Sequence, residues 1–138
     1  MADTFEMRHH NPPTLYDSLQ YGLSQAVSTR GGRTIYVSGQ VAFDAEGKLI
    51  GGRDNLAQFH AALDCLHLAL ADAGAGSADV VQVRSYVVGF NPARLEDFTA
   101  ALKAFFPAET PPAAMFLGVE TLATPDVLVE IECTAVVA

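Results

Sequence analysis

The chain predicts an α+β fold, one β-sheet with two helices packed on one of its faces. Three observations lead there. Two stretches repeat apolar residues every three and four positions, as a helix with one buried stripe does. Around them lie Val-rich stretches that alternate apolar and polar residues, as half-buried strands do. Gly or Pro marks most of the junctions between them. At 138 residues the chain fits a single domain over 1–138, a size at which folding hides roughly two-thirds of the unfolded surface.

The opening thirteen residues read as an arm or a first short strand, because "HNPP" continues neither a helix nor a central ladder. "GLSQAVST", "RGGR" and "TIYVSGQVAF" then read as strand, Gly turn and strand, a hairpin that "DAEGKLIGG" extends through another turn. From Asn55 to Asp72, Leu56, Phe59, Leu63, Leu66 and Leu70 form one helical stripe, stopped by "GAGS". "ADVVQVRSYVVGF" is a strand ending at Asn91-Pro92. A second helix runs from about Ala93 to Phe106, striped by Leu95, Phe98, Leu102, Phe105 and Phe106, and stops at Pro107. Two strands close the chain, Ala113 to Leu122 and Val127 to Val137, joined by "ATPD". Helices cover one sheet face, so Phe116, Val41 and Val88 are expected on the other, which self-association would bury.

Composition narrows the function classes. The formal charge is −8 with no run of Lys or Arg, which opposes a nucleic-acid partner. The N-terminus has no apolar stretch of signal-peptide length and no segment approaches the ~20 apolar residues of a membrane span, so a soluble, cytoplasmic protein without a membrane partner is expected. Cys65 and Cys133 lie far apart within regular structure and read as free buried thiols.

Several residues invite a chemical reading beside a structural one. Glu130 and Glu132 share a strand face, as solvated acids or as a general base that positions water. Asn91 ends a strand before a helix, as a cap or as an amide that binds a ligand. Ser38-Gly39-Gln40 interrupts a strand, through a bulge or a close approach of backbone to ligand. Arg84 stands alone in a Val-rich strand, as an interface pair or an anion-binding group. His60 and His67 share a helix side with Asp64, which falls short of a metal-ligand set and reads as a solvated face. His9 and His10 in the arm carry little information. The strand before the last, read as the neighbour of the strand that carries the acids, is uncharged from Pro112 to Val119.

Taken together, "LSQAV", "IYVSGQV", "ADVVQVRSYVV" with Asn91, "FFP", "PPAAMFLGVETL" and "VEIECTAV" resemble the RidA family, also called YjgF or L-PSP. The resemblance covers nearly the whole chain. It implies a chorismate-mutase-like α+β fold, a homotrimer, and a small-molecule site in each cleft between subunits. Archetypal members are deaminases that hydrolyse enamines and imines to a keto acid and ammonia without metal or cofactor. A strand arginine clamps the substrate carboxylate and a glutamate in the last strand holds the attacking water. By this resemblance the glutamate is Glu130 and the strand-end asparagine is Asn91, while the arginine falls on Ala114 and a pocket tyrosine on Leu23, near Tyr21. Ser38, Gly39 and Phe116 complete the expected pocket; Arg84, on another strand, is either structural or an anion binder that reaches into the same cleft. Two functions follow: a hydrolase acting on an imine or related metabolite that need not carry a carboxylate, or a non-catalytic trimer that binds a metabolite or partner. RNA cleavage ranks third because of the acidic charge.

Overall fold

The computed structural model describes residues 4–138, so the first three residues of the expected thirteen-residue arm lie outside the described residues. In order come β1 (Glu6–His10), β2 (Ala26–Arg30), β3 (Arg33–Gln40), α1 (Asn55–Asp72), β4 (Val80–Val88), α2 (Leu95–Phe105), β5 (Ala113–Val119) and β6 (Val129–Val137). Four strands form one sheet in the order β3-β6-β4-β5, in which only β4 and β5 run parallel. The α2 crossover supplies the long connection that a parallel pair needs. The α+β class with two helices on a mostly antiparallel sheet is as the sequence indicates.

Two pairings differ from the sequence reading. The "RGGR" turn does not close a hairpin: β2 pairs with β1 (His9↔Val27), whereas β3 pairs with β6 (Tyr36↔Thr134). Gly31 and Gly32 both take positive φ, 67° and 80°, which turns the chain out of one ladder and into the other. The last two strands are not neighbours either, because β4 lies between β5 and β6. Adjacency in sequence is a poor guide where a parallel crossover has already placed a strand.

The helices start and stop for local reasons. Asp54 caps α1, its Oδ1 accepting from the N–H groups of Leu56 (2.9 Å) and Ala57 (3.3 Å), a contact worth about 0.5–2 kcal/mol. Its predicted stripe is buried, with Leu56 partly so. A single 3-10 turn over Pro92–Arg94 precedes α2, which delays the helix from Ala93 to Leu95. Phe98, Leu102 and Phe106 are buried, but Leu95 in the first turn stays 42% exposed. These stripes pack onto Val83, Val87, Val129, Ile131 and Ala135, each almost fully buried on the inner sheet face; each such side chain contributes roughly 1.5–3 kcal/mol if large.

Gln58 is the fully buried polar side chain of α1 and its bonds are complete. Its Nε2 donates to Gly52 O (2.6 Å) and Asp126 O (2.9 Å), and its Oε1 accepts from Leu128 N (2.8 Å). It thereby ties the loop before α1 to the loop before β6. Cys65 is half-buried and Cys133 buried, both as free thiols. Burial pushes the Cys133 thiol up to about 12, the behaviour of a core residue and not of a nucleophile.

Candidate functional site

Alternation along β6 sends Val129, Ile131, Cys133 and Ala135 into the core and Glu130, Glu132 and Thr134 to the open face. The register with β4 places Glu132 opposite Arg84 and Glu130 opposite Tyr86 on that face. Glu132 is engaged there: its Oε1 accepts from Arg84 Nη1 (3.1 Å) and from the Tyr86 hydroxyl (3.2 Å). Partial burial, then the Glu132 carboxylate, hold the Tyr86 phenol above its ordinary value. Arg84 is therefore a paired arginine of the open face.

Glu130 is placed differently. Among the described residues its carboxylate has no hydrogen bond or ion pair, and it packs against the bare backbone of Gly39. The ladder between β3 and β6 slips between Val37 and Gln40, a bulge at Ser38-Gly39. A Cβ on Gly39 would stand 2.1 Å from Glu130 Oε1 and 2.7 Å from its Cδ and Cγ. Both sequence readings of this interruption meet here: the strand bulges, and its glycine admits a close approach, by Glu130. Ser38 is exposed beside it, its carbonyl accepting from Gln40 Nε2 (3.0 Å).

The apolar residues expected around the pocket gather elsewhere. Ala114 and Phe116 lie opposite Val83 and Ser85 on the helix side of the sheet. Phe116 does not sit on the open face, as the sequence reading has it: its ring packs on Phe90, Phe98 and Phe59 at centroid distances of 4.8, 5.4 and 6.0 Å. The cause is register, since Phe116 shares its parity with the buried Ser85 and Ile131. Val88, in contrast, shares the open face with Tyr86. Leu23 reaches Ala114 because the preceding loop is stitched to the start of β5. Ser24 N donates to Pro112 O (3.0 Å), and the buried Ser24 hydroxyl donates to Pro111 O (2.5 Å), with His9 Nδ1 beside both.

Leu23, Ala114 and Phe116 thus line one cavity of about 280 Å³ at the β5 edge. Tyr16, Tyr21, Leu95 and Thr99 share its wall. Tyr16, Leu95 and Thr99 were not among the expected site residues. The signal available in the sequence was the exposed end of the second helix stripe, where Leu95 faces the loop carrying the tyrosines.

Asn91 is exposed and its Oδ1 caps the 3-10 turn by accepting from Ala93 N (3.0 Å), the structural reading; among the described residues its Nδ2 makes no hydrogen bond. His60, Asp64 and His67 are exposed on α1. His10 Nε2 pairs with the Ser28 hydroxyl across β1 and β2 (2.8 Å). Within one subunit the expected residues therefore form two groups on opposite sheet faces. Glu130, Gly39, Ser38 and Arg84 lie on the open face, and Leu23, Ala114 and Phe116 lie on the covered one. Arg84, paired with Glu132, is not among the residues that line the Ala114 cavity of its own subunit.

Known proteins share this architecture. The family model described as "Endoribonuclease L-PSP" matches residues 18–137. A protein of unknown function of the conserved Rid family from Yersinia pestis, YyfB, is 46% identical with a TM-score of 0.91, covering 95% of this chain and 98% of that one. A member of the YjgF/YER057c/UK114 family from Mycobacterium tuberculosis is 29% identical (TM-score 0.61), covering 96% and 100%. RidA from an Antarctic Psychrobacter is 27% identical (TM-score 0.66), covering 83% and 87%. No curated protein matches the chain. With the family model spanning all but the first seventeen residues and the last, and these folds superposing on its own, the chain belongs to the endoribonuclease L-PSP family, the Rid/YjgF proteins.

Proposed function

We propose that the chain is a hydrolase of the deaminase type, which converts an imine or enamine to a carbonyl compound and ammonia in clefts of a homotrimer. The observation that carries this is the contrast between the two acids of β6. Glu132 is occupied by Arg84 and Tyr86, whereas Glu130 is half-buried, unpaired among the described residues and seated on Gly39. A carboxylate held in that way is suited to take a proton from water. As water oxygen bonds to the imine carbon, Glu130 accepts one water proton and returns it to nitrogen, giving the carbinolamine; the carbinolamine O–H proton then passes through Glu130 to nitrogen as the C–N bond breaks, releasing ammonia and leaving C=O. Asn91 Nδ2 and the backbone near Gly39 would bind polar atoms of the substrate.

Because Glu130 and Ala114 face opposite ways, a second copy must supply one half of the cleft. The open sheet face suits that contact, since Tyr36, Met115 and Leu117 are exposed on it at 82%, 44% and 39%. The other half, at Ala114, carries no cation to hold a substrate carboxylate, so the substrate need not be a 2-imino acid. That same lack favours a second reading, a trimer that binds a metabolite without turning it over. RNA cleavage is opposed by the charge of −8. The test is release of ammonia from simple ketimines, with and without a carboxylate, by the purified trimer. Turnover that exceeds the uncatalysed rate and disappears in Glu130→Gln supports the hydrolase; saturable binding with no turnover on any imine supports the binding protein.

A further inference from the structure

The cavity at Ala114 allows the substrate to be described more closely. Its floor is the Phe116 ring, held edge-on by Phe90 and Phe98. Leu23, Leu95 and Leu102 form its sides, and Tyr16 and Tyr21 stand at the rim with ring centroids 6.1 Å apart. Among the described residues no charged side chain lines it; its hydrogen-bonding side chains are the two tyrosines and Thr99. A carboxylate drawn into such a space would lose its hydration and gain no countercharge, which is strongly unfavourable. A neutral apolar group loses nothing and gains contact with three aromatic rings.

Size sets the second limit. An apolar cavity of about 150 Å³ accepts a benzene, so the 280 Å³ here takes a phenyl or branched aliphatic group together with the carbon and heteroatom attached to it. Thr99 brings the one aliphatic hydroxyl among the residues lining the cavity, a partner in kind for that heteroatom, and an acid from another copy would approach from the cavity's open side.

We infer that this cavity binds a neutral apolar group of phenyl or isobutyl size, so that the substrate is an uncharged aryl or branched-alkyl imine. This rests on the hydrolase reading for the word substrate, but the binding preference does not depend on catalysis. Titration calorimetry on the full chain with phenylacetamide and phenylacetate, matched in shape and differing in charge, tests it. Wild type binds the amide at least about tenfold more tightly, a difference that calorimetry resolves. Ala114→Phe, which fills the cavity, weakens amide binding by a similar factor, and Ala114→Arg reverses the order of the two probes. Glu130→Gln abolishes any imine hydrolysis. If the preference holds and no imine is hydrolysed, the hydrolase reading fails and the ligand class stands. The inference is overturned if wild type binds phenylacetate as tightly as the amide, if Ala114→Phe leaves amide binding unchanged, or if millimolar amide does not bind; hydrolysis lost in Glu130→Gln would still support the hydrolase.

Discussion

Gly39→Ala should disable the site without disturbing the fold. Gly39 has no positive φ, so alanine brings no backbone strain. What the methyl meets is the Glu130 side chain, at 2.1 Å from Oε1, where ordinary contact begins at 3.4 Å. The carboxylate must retreat by about 1.3 Å, the difference between those two distances. A displacement of about 1 Å at a reacting group costs on the order of 10²-fold in rate. The assay is ammonia release from the best imine substrate, read beside thermal unfolding and oligomeric mass. We expect about a hundredfold loss of turnover with both physical properties unchanged. Glu130→Asp, which shortens the acid, should recover part of that loss when added to Gly39→Ala. Wild-type turnover by Gly39→Ala, while Glu130→Gln is inactive, would refute the idea that Gly39 seats the catalytic acid.

Other outcomes follow from the packing. Gln58→Leu strands the carbonyls of Gly52 and Asp126 and the Leu128 N–H, and should cost about 2–4 kcal/mol by denaturant titration. Cys133, whose thiol burial raises from 9.0 to about 12, should resist alkylation at pH 8 in the native protein and react once unfolded. Since the unfolded chain loses that proton first, its contribution to stability is present below pH 9 and lost as pH rises from 9 to about 12. Light scattering should give three times 14.6 kDa; a monomer at micromolar concentration would remove the cleft.

The helix stripes and strand alternation were legible because burial enforces periodicity: Phe59, Leu63, Leu66 and Leu70 are buried on one side of α1. The face of Glu130 was legible for the same reason, from alternation with Val129 and Ile131. The face of Phe116 was not. It depends on the register of β5 against β4, which no feature within "AAMFLGV" fixes, and a shift of one residue exchanges the faces. Likewise the "RGGR" turn announces that the chain reverses but not which strand each arm will join. The choice of Glu130 over Glu132 came from family resemblance; the physical distinction, one acid paired and the other seated on a glycine, needed the fold. Tyr16 enters the cavity through the docking of a loop by Ser24, whose hydroxyl bonds Pro111 O 87 residues away in sequence, and Thr99 comes to it on α2.

The central claim is that Glu130 alone of the two acids performs the chemistry, and the direct measurement is imine hydrolysis by Glu130→Gln and Glu132→Gln side by side, at equal trimer concentration. Glu130→Gln should lose about 10²-fold or more in turnover, the usual size of a general acid-base contribution. Glu132→Gln, which only loosens the half-exposed pair with Arg84, should stay within a few-fold of wild type. Equal losses in the two variants, or full activity in Glu130→Gln with the trimer intact, would contradict the account.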